Sequence, residues 1–217
     1  SFVIYTVSSY YLEIKKQEFD AELLRMVKVK QDLVEGDKFS KELAFPQVMI
    51  PADKFLALSW ADVQKGHEHV RDLGEHIQIF DTMEDTGLAS KSCRFLFFTY
   101  EWLSWNKQGP NEVQFKCMQA AAKDVQEQME AGYTLMVWLD VLSIPQNNPV
   151  LKSLAVNALY TYSILAHFMV IIAPDSTHES TGNKANPESY SKRCWTRAEQ
   201  FAYWAGHGTD TMFLKTA

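Results

Sequence analysis

The chain has 217 residues, of which 47% are hydrophobic and 22% are charged, enough to bury the core of an α/β domain. Its formal charge of −6 argues against a dedicated nucleic-acid binder, which normally carries a basic face. The three cysteines are widely spaced and form no Cys-x-x-Cys pair. This spacing favours free thiols in a reducing, intracellular compartment over a disulfide framework, and it offers no zinc site.

Residues 1–90 are predicted to form a mixed, mostly helical extension that packs on the main domain. Residues 2–7 are typical of a short strand, and Ser9 is a suitable N-cap for a helix that ends near Gly36. From Phe45 to Ser90 the apolar pattern is irregular. We therefore interpret this part as wrapping the main domain rather than folding separately.

Residues 91–217 are predicted to form the main domain, in which strand and helix patterns alternate. Apolar runs at 94–99, 135–142 and 168–173 predict three strands. A capping box at 111–114 predicts one intervening helix, and an apolar stripe along 151–165 predicts another. This order is typical of a parallel sheet with helices on its faces.

A final helix is predicted after a long polar loop at 174–189. Its expected buried stripe consists of Cys194, Ala198, Phe201, Ala202 and Ala205. Glu199 lies at the edge of this stripe, and Cys194 is expected to be an inert buried thiol. The tryptophans Trp138, Trp195 and Trp204 are likewise expected in the core more often than at a ligand.

Two patterns suggest sites that the rest of the sequence argues against. Residues 154–173 have the length of a membrane-spanning helix, but polar interruptions and a β-branched second half favour a helix followed by a buried strand. We therefore expect no membrane span. His67, His69 and His76 have no fourth ligand at a fixed spacing, so a solvated loop is favoured over a metal site.

Three loops leave the carboxyl ends of the predicted strands, where open parallel sheets bind ligands. They follow Thr99, Asp140 and Pro174, and the third leads to the helix that contains Trp195 and Glu199. Carboxylates accept hydrogen bonds from ribose hydroxyls, and indole rings stack on bases, so these loops favour a nucleotide site. No GxGxxG or GxxxxGK[ST] run supports ordinary dinucleotide or P-loop phosphate binding.

Three segments of the chain carry a family resemblance. They read TYEW from Thr99, WLDVLSIPQ from Trp138 and WTRAE from Trp195. They are similar to the Ser-His-x-Trp strand end, the Trp-Leu-Asp-x-x-x-Ile-Pro-Gln strand and the Trp-Cys-Arg-x-Glu helix of a group in algae and protists. This group belongs to the Toll/interleukin-receptor (TIR)-like superfamily, which includes heterokaryon-incompatibility-like domains. The resemblance covers about residues 94–206.

The resemblance implies a flavodoxin-like TIR fold and, as in some members, cleavage of the glycosidic bond of NAD. Glu199 would then be the catalytic carboxylate. The nucleotide-binding candidates are Thr99, Tyr100, Trp102, Asp140, Ser143 and Trp195. No cofactor is required in this interpretation, and NAD would be a substrate or a ligand.

The first segment departs from the family motif, because Thr99 and Tyr100 occupy the Ser-His positions and tyrosine has no imidazole. This departure favours an interaction or scaffold domain that is non-catalytic or weakly active, either on its own or as a subunit of a larger assembly, with protein partners or self-association. An NAD nucleosidase that uses Glu199 is the alternative. The two acids also have structural interpretations: Asp140 can cap its turn, and Glu199 can pair with a basic side chain on a solvated helix face.

Overall fold

The computed structural model describes residues 42–74 and 76–217, together with residues 16, 17, 24, 25 and 28. The chain divides into a unit of residues 1–42 and a compact unit of residues 43–217. The five described residues between 16 and 28 are helical. The strand predicted at 2–7 and both ends of the helix predicted from Ser9 to Gly36 lie outside the described residues.

The strands of the second unit fall into two groups. The larger group consists of β1 (Glu42–Pro51), β2 (Gln78–Thr82), β3 (Cys93–Tyr100), β4 (Thr134–Trp138), β5 (Phe168–Ile172) and β8 (Met212–Lys215). Two short strands, β6 (Ser176–Thr177) and β7 (Lys184–Ala185), pair as a separate antiparallel ladder.

The helices connect these strands and cover the larger sheet. They are α1 (Ala52–Ala57), α2 (Trp60–Asp72), α3 (Met83–Ala89), α4 (Glu112–Gln128), α5 (Asp140–Ser143), α6 (Pro149–Asn157), α7 (Leu159–Leu165), α8 (Pro187–Ser191) and α9 (Cys194–His207). The predicted capping box of α4 is confirmed, since the Asn111 side chain accepts a hydrogen bond from the backbone of Gln114 and Gln114 reciprocates.

Within the described residues, the larger sheet has six strands in the order β2-β1-β4-β3-β5-β8. The ladders β4-β3, β3-β5 and β5-β8 are parallel, whereas β1 is antiparallel to β4. The structure therefore confirms an α/β class with a mostly parallel central sheet flanked by helices.

Successive side chains of β3 belong to opposite faces of the sheet. Leu96 and Phe98 belong to a core that includes residues of α1, α2 and α4, whereas Phe95 and Phe97 belong to a core that includes residues of α6, α7 and α9. This alternation follows the two-residue period of a strand. It places Thr99, the next residue in the second series, on the side that α9 covers.

The region between residues 45 and 90 is more regular than its apolar pattern indicated. It contributes β1 and β2 to the main sheet, together with three helices. Ile50 and Pro51 of β1 pair with Val137 and Met136 of β4. The boundary predicted after residue 90 thus falls inside the compact unit of residues 43–217.

Three predictions about local structure were wrong. The single helix predicted along 151–165 is divided into α6 and α7 at Ala158, and the loop predicted at 174–189 contains β6, β7 and the start of α8. The histidines predicted in a solvated loop lie on α2 or just after it. His67 is buried there and donates from Nδ1 to the carbonyl oxygen of Leu142 at 2.8 Å.

The buried face of α9 is not the one that its apolar residues predicted. Thr196, Glu199 and Tyr203 are buried, while Cys194 is exposed and the side chain of Phe201 is 65% exposed. Hydrogen bonds explain this orientation. Thr196 donates to the carbonyl oxygen of Tyr190, and the Tyr203 hydroxyl donates to that of His167.

Residues 154–173 form parts of α6, α7 and β5. Across the described part of the chain, no helix combines the length and apolar character needed to cross a membrane. The same part of the chain contains no group of three histidine, cysteine, aspartate or glutamate residues placed to hold a metal ion.

Candidate functional site

A pocket of about 260 Å³ lies at the carboxyl ends of β3 and β4 and is bounded by α6, α7 and α9. Its lining includes the proposed catalytic residue Glu199 and five of the nucleotide-binding candidates named from the sequence. These five are Thr99, Tyr100, Trp102, Asp140 and Trp195. Its volume is close to the lower end of the range of small-molecule sites. The pocket is thus of a size for a ring joined to a sugar.

Glu199 is the buried acid of this pocket. Its side chain, on α9, is 7% exposed. Its Oε2 accepts a hydrogen bond from the Thr99 hydroxyl at 2.5 Å, and the Thr99 oxygen in turn lies 2.8 Å from the hydroxyl of Tyr190. Burial raises the pKa of Glu199 to about 8, the hydrogen bond from Thr99 opposes this rise, and the negative charge of Asp140 adds to it.

One of the two structural interpretations required Glu199 to lie on a solvated helix face. Glu199 is buried instead. It takes part in none of the ion pairs found among the described residues. A buried carboxyl group with a raised pKa and no basic partner is uncommon outside functional sites. The position of Glu199 therefore needs an explanation other than surface pairing.

Asp140 is the second acid of the pocket and lies at the start of α5. Its Oδ1 accepts hydrogen bonds from the Tyr100 hydroxyl at 2.6 Å and from the backbone N–H of Val141 at 2.7 Å. Its Oδ2 accepts from Trp102 Nε1 at 2.8 Å. Burial raises the pKa of Asp140, although these three hydrogen bonds lower it. Asp140 therefore organises the ends of β3 and β4 and also faces the pocket.

The aromatic candidates differ in position. Trp102 is partly buried and is held by Asp140, while Trp195 is 46% exposed and lines the pocket. The core position expected for Trp195 and Trp204 was therefore wrong, because both side chains are exposed. Trp105 is exposed but does not line the pocket.

Ser143 is the nucleotide-binding candidate that does not line the pocket. Its side chain is buried, and its hydroxyl accepts a hydrogen bond from the backbone N–H of Leu139 at 3.3 Å. This contact closes the turn at the end of β4. Ser143 is thus placed to support the backbone next to Asp140 and not to touch a ligand.

Several lining residues were not recognised in the sequence as site residues: Trp138, Gln146, Lys152, Arg193 and Thr196. Arg193 donates to Glu101 Oε1 at 3.0 Å and to the carbonyl oxygen of Trp102 at 3.3 Å, so it ties the start of α9 to the loop after β3. Gln146 ends the motif-like segment that begins at Trp138, and this was the available signal. No signal in the sequence indicated Lys152 as a site residue, because it belongs to a helix that was predicted only from its apolar residues.

The chemistry of the pocket follows from its two acids and its indole rings. Glu199 and Asp140 supply carboxyl oxygens that accept hydrogen bonds from hydroxyl groups, or donate them when protonated. The exposed face of Trp195 offers a surface for a planar ring, and a cationic ring gains from both the indole and the acids. The arrangement suits a sugar that carries a planar, electron-poor base.

Comparison of the chain with protein-family models, with curated proteins and with solved structures finds no match in any of the three.

Proposed function

We propose that this pocket binds NAD and hydrolyses the bond between its nicotinamide and ribose, with Glu199 as the catalytic carboxylate. The observation that carries the proposal is the position of Glu199: a buried acid that has no basic partner among the described residues, in one pocket with Asp140 and the indole of Trp195. A carboxylate in such a place stabilises the positive charge that develops on a ribose ring as its glycosidic bond breaks.

We further propose that the fold is TIR-like and flavodoxin-like, and the order of the parallel strands supports this. Taken in chain order, the four parallel strands β3, β4, β5 and β8 are arranged second, first, third, fourth across the sheet. This order corresponds to the first four strands of the flavodoxin-like arrangement, in which ligands bind where the strand order reverses. The pocket at the carboxyl end of β3 lies next to that reversal.

The proposed reaction needs no group beyond the substrate and water. The bond between the ribose C1′ and the nicotinamide nitrogen breaks, and its electron pair goes to the ring nitrogen, so neutral nicotinamide leaves. Water then adds its hydroxyl to C1′, and a proton is released. Glu199 in its ionised form stabilises the oxocarbenium-like ribose between these events.

Tyr100 occupies the position at which the family motif has histidine. This replacement removes no acid or base from the proposed scheme, because the scheme uses no histidine. The Tyr100 hydroxyl donates to Asp140, and burial raises the pKa of Tyr100 well above its ordinary value, so it stays a neutral donor. Thr99 keeps the hydroxyl that the motif serine would provide, and this hydroxyl is bonded to Glu199. The two substitutions are thus compatible with an active site built on Glu199.

Release of nicotinamide from NAD, followed by chromatography, tests the proposal. We expect the wild-type protein to release nicotinamide and the Glu199→Gln variant to lose at least a hundredfold of this activity, because the amide cannot carry a negative charge. Glu188→Gln is the matched control, since Glu188 is exposed on α8 and pairs with Lys192. Absence of release by wild-type protein at high concentration, or equal rates for both variants, would refute the proposal.

A second candidate function, as an interaction domain, is supported by a separate observation. The outward sides of α7 and α9 expose Tyr160, Ile164, Phe201 and Trp204, which we call the aromatic face. Phe201 and Trp204 have ring centroids 5.7 Å apart, and their side chains are 65% and 51% exposed. Exposed aromatic and aliphatic side chains on neighbouring helices are common in protein interfaces.

The solution mass of the protein tests this second candidate. If the aromatic face mediates self-association, the wild-type protein elutes as a dimer or larger species, and a Phe201→Ser, Trp204→Ser double variant elutes as a monomer. Trp105→Ser removes an exposed indole elsewhere and serves as the control. A wild-type monomer at all concentrations would exclude self-association through this face.

A further inference from the structure

Two buried side-chain nitrogen or oxygen atoms in the described part of the chain lack a hydrogen-bond partner, and both belong to residues that line the pocket. They are Nε1 of Trp138 and Oε1 of Gln146. Buried polar groups in folded proteins are nearly always paired, so each exception requires a cause. That both exceptions concern one cavity points to a ligand as the missing partner.

Trp138 is fixed in place with its donor unused. Its side chain is 1% exposed, and its ring stacks on Phe97 at 4.4 Å between centroids, with 4° between the planes. The ring also contacts that of Tyr162 at 5.9 Å. Among the described residues no acceptor forms a hydrogen bond with its Nε1, so the indole N–H of Trp138 keeps a free hydrogen-bonding capacity.

Gln146 is fixed in the same way with its acceptor unused. Its Nε2 donates to the carbonyl oxygen of Ile144 at 2.9 Å, and its backbone N–H donates to Glu68 Oε1 at 3.2 Å. The first bond settles which end of the amide is nitrogen, because a carbonyl oxygen accepts only from N–H. The Gln146 carbonyl oxygen is therefore a fixed acceptor.

We propose that Trp138 Nε1 and Gln146 Oε1 together recognise a ligand edge that carries one hydrogen-bond acceptor and one N–H donor side by side. This inference rests on the proposed function and names the specificity-determining residues of the same pocket. A carboxamide group has this pattern, with a carbonyl oxygen for Trp138 and an N–H for Gln146. The amino edge of adenine has it as well.

The recognition is selective because both protein atoms are buried. A ligand that lacks either partner leaves one of them unpaired, and such sites reject analogues that lack the complementary group more strongly than apolar pockets do. Trp138 and Gln146 are thus positioned to determine which planar base enters the pocket, while Glu199 and Asp140 face the sugar.

Two pairs of neutral ring compounds test this proposal without any turnover. Binding to the full chain is measured by ligand-observed NMR for nicotinamide against 3-acetylpyridine, which keeps the carbonyl oxygen but has a methyl group in place of the amide nitrogen. Adenine against purine forms the second pair, because purine lacks the amino group. In one of the two pairs, we expect the wild-type protein to bind the compound that carries the N–H group, nicotinamide or adenine, about tenfold more tightly than its analogue.

The variants Trp138→Phe and Gln146→Met separate the two contacts. Gln146→Met should reduce the preference within that pair to near unity, whereas Trp138→Phe should weaken both members of the pair by a similar factor, since each keeps its acceptor. Trp60→Phe and Gln64→Met are the matched controls, because both side chains donate to the carbonyl oxygen of Pro110 outside this pocket. The controls should leave binding unchanged.

The outcomes are distinct from those of the nicotinamide-release assay. Equal binding of both members in both pairs, or a preference that survives Gln146→Met, would overturn the recognition role and assign the two atoms to bridging water. Nicotinamide release could still occur in that case. A preference that depends on Gln146 in a protein without NAD hydrolysis would support the recognition role and refute only the reaction.

Discussion

Thr99 Oγ1 donates a hydrogen bond to Glu199 Oε2 across 100 positions of the sequence, and this bond joins the end of β3 to the middle of α9. The Thr99 oxygen also lies 2.8 Å from the Tyr190 hydroxyl. The three side chains form a continuous line of hydrogen bonds behind the pocket. Thr99 is therefore the residue through which the sheet positions the Glu199 carboxyl group.

We predict that Thr99→Val lowers nicotinamide release roughly tenfold or more, because a hydrogen bond to a charged group contributes about 1.5–3 kcal/mol. The loss of this donor also raises the pKa of Glu199 further, since the bond favours the ionised form. Steady-state kinetics as a function of pH measure both effects. Thr86→Val is the control, because Thr86 is equally buried and bonds to Thr82 and Gln47. Equal losses in the two variants would argue against a specific role for Thr99.

The stability of the protein is predicted to depend on pH through Glu199. Its pKa is raised from 4.5 to about 8 in the folded state, so the folded protein holds a proton that the unfolded chain releases between these values. The contribution of Glu199 to stability is therefore full below pH 4.5 and declines as the pH rises towards 8.

Thermal denaturation of wild-type and Glu199→Gln protein measures this contribution. As the pH rises from 5 to 9, we expect the Tm of the Glu199→Gln variant to increase relative to the Tm of the wild-type protein. The change should be several degrees for a chain of this length. Glu188→Gln should show no such trend, since Glu188 is exposed and its pKa is lowered by Lys192. A flat difference for Glu199→Gln would mean that this carboxyl group is ionised in the folded protein.

The pH dependence of the proposed reaction follows from the same group. If Glu199 acts as a carboxylate, kcat/KM rises with pH and levels off above about 8, because kcat/KM reports the ionisation of the free enzyme. Initial rates at low NAD concentration between pH 5 and pH 9.5 test this. A fall in kcat/KM above pH 8 would instead show that Glu199 acts as a proton donor.

The loop before α4 is predicted to be sensitive at Gly109. This residue has a φ of +88°, and a Cβ atom built on it would lie 2.9 Å from Cγ1 of Val141, the residue after Asp140. We expect Gly109→Ala to destabilise the protein by about 1–3 kcal/mol through backbone strain and displacement of α5.

Chemical denaturation measures the effect of Gly109→Ala, with Gly87→Ala as its control. Gly87 lies within α3, and a Cβ atom there would meet nothing within 4 Å. Alanine is the better helix former, so this control should stabilise the protein by about 0.5–1 kcal/mol. Equal effects of the two substitutions would contradict the role given to the contact between Gly109 and Val141.

The parts of the fold that the sequence predicted well are those in which the apolar residues of the pattern are also the buried ones. β3, β4 and β5 are short apolar runs, and α4 has both a capping box and an apolar stripe. The prediction for β4 was too long, because the strand ends at Trp138 and residues 140–142 belong to α5. In these elements the local pattern and the tertiary environment agree. Their order along the chain was sufficient to predict a parallel sheet.

The parts that were missed depend on contacts distant in sequence. β8 has only four residues, and its run of three apolar residues is too short to distinguish a strand from a turn, so it is recognisable only by its ladder with β5. The prediction of the buried face of α9 was wrong for a related reason. Its polar side chains Thr196 and Glu199 find hydrogen-bond partners on α8 and β3, and these partners outweigh the apolar stripe.

The positions of the two acids were easier to predict from the sequence than the side-chain details around them. The rule that ligands bind at the carboxyl ends of parallel strands predicted that Asp140 and Glu199 lie close together, and both line one pocket. It did not reveal that Ser143 faces the interior or that Trp138 and Gln146 have unused hydrogen-bonding atoms. Such details depend on side-chain orientation, which a linear pattern does not specify.

The antiparallel pairing of β1 with β4 and the bond from His67 to Leu142 have a practical consequence for anyone who dissects this protein. A recombinant fragment that starts at residue 91 would leave one edge of β4 unpaired and would remove the helix that supports α5. Unpaired strand edges promote aggregation. Fragments for crystallisation or binding assays should therefore retain residues 43–90, because the segment that carries Asp140 is supported from that part of the chain.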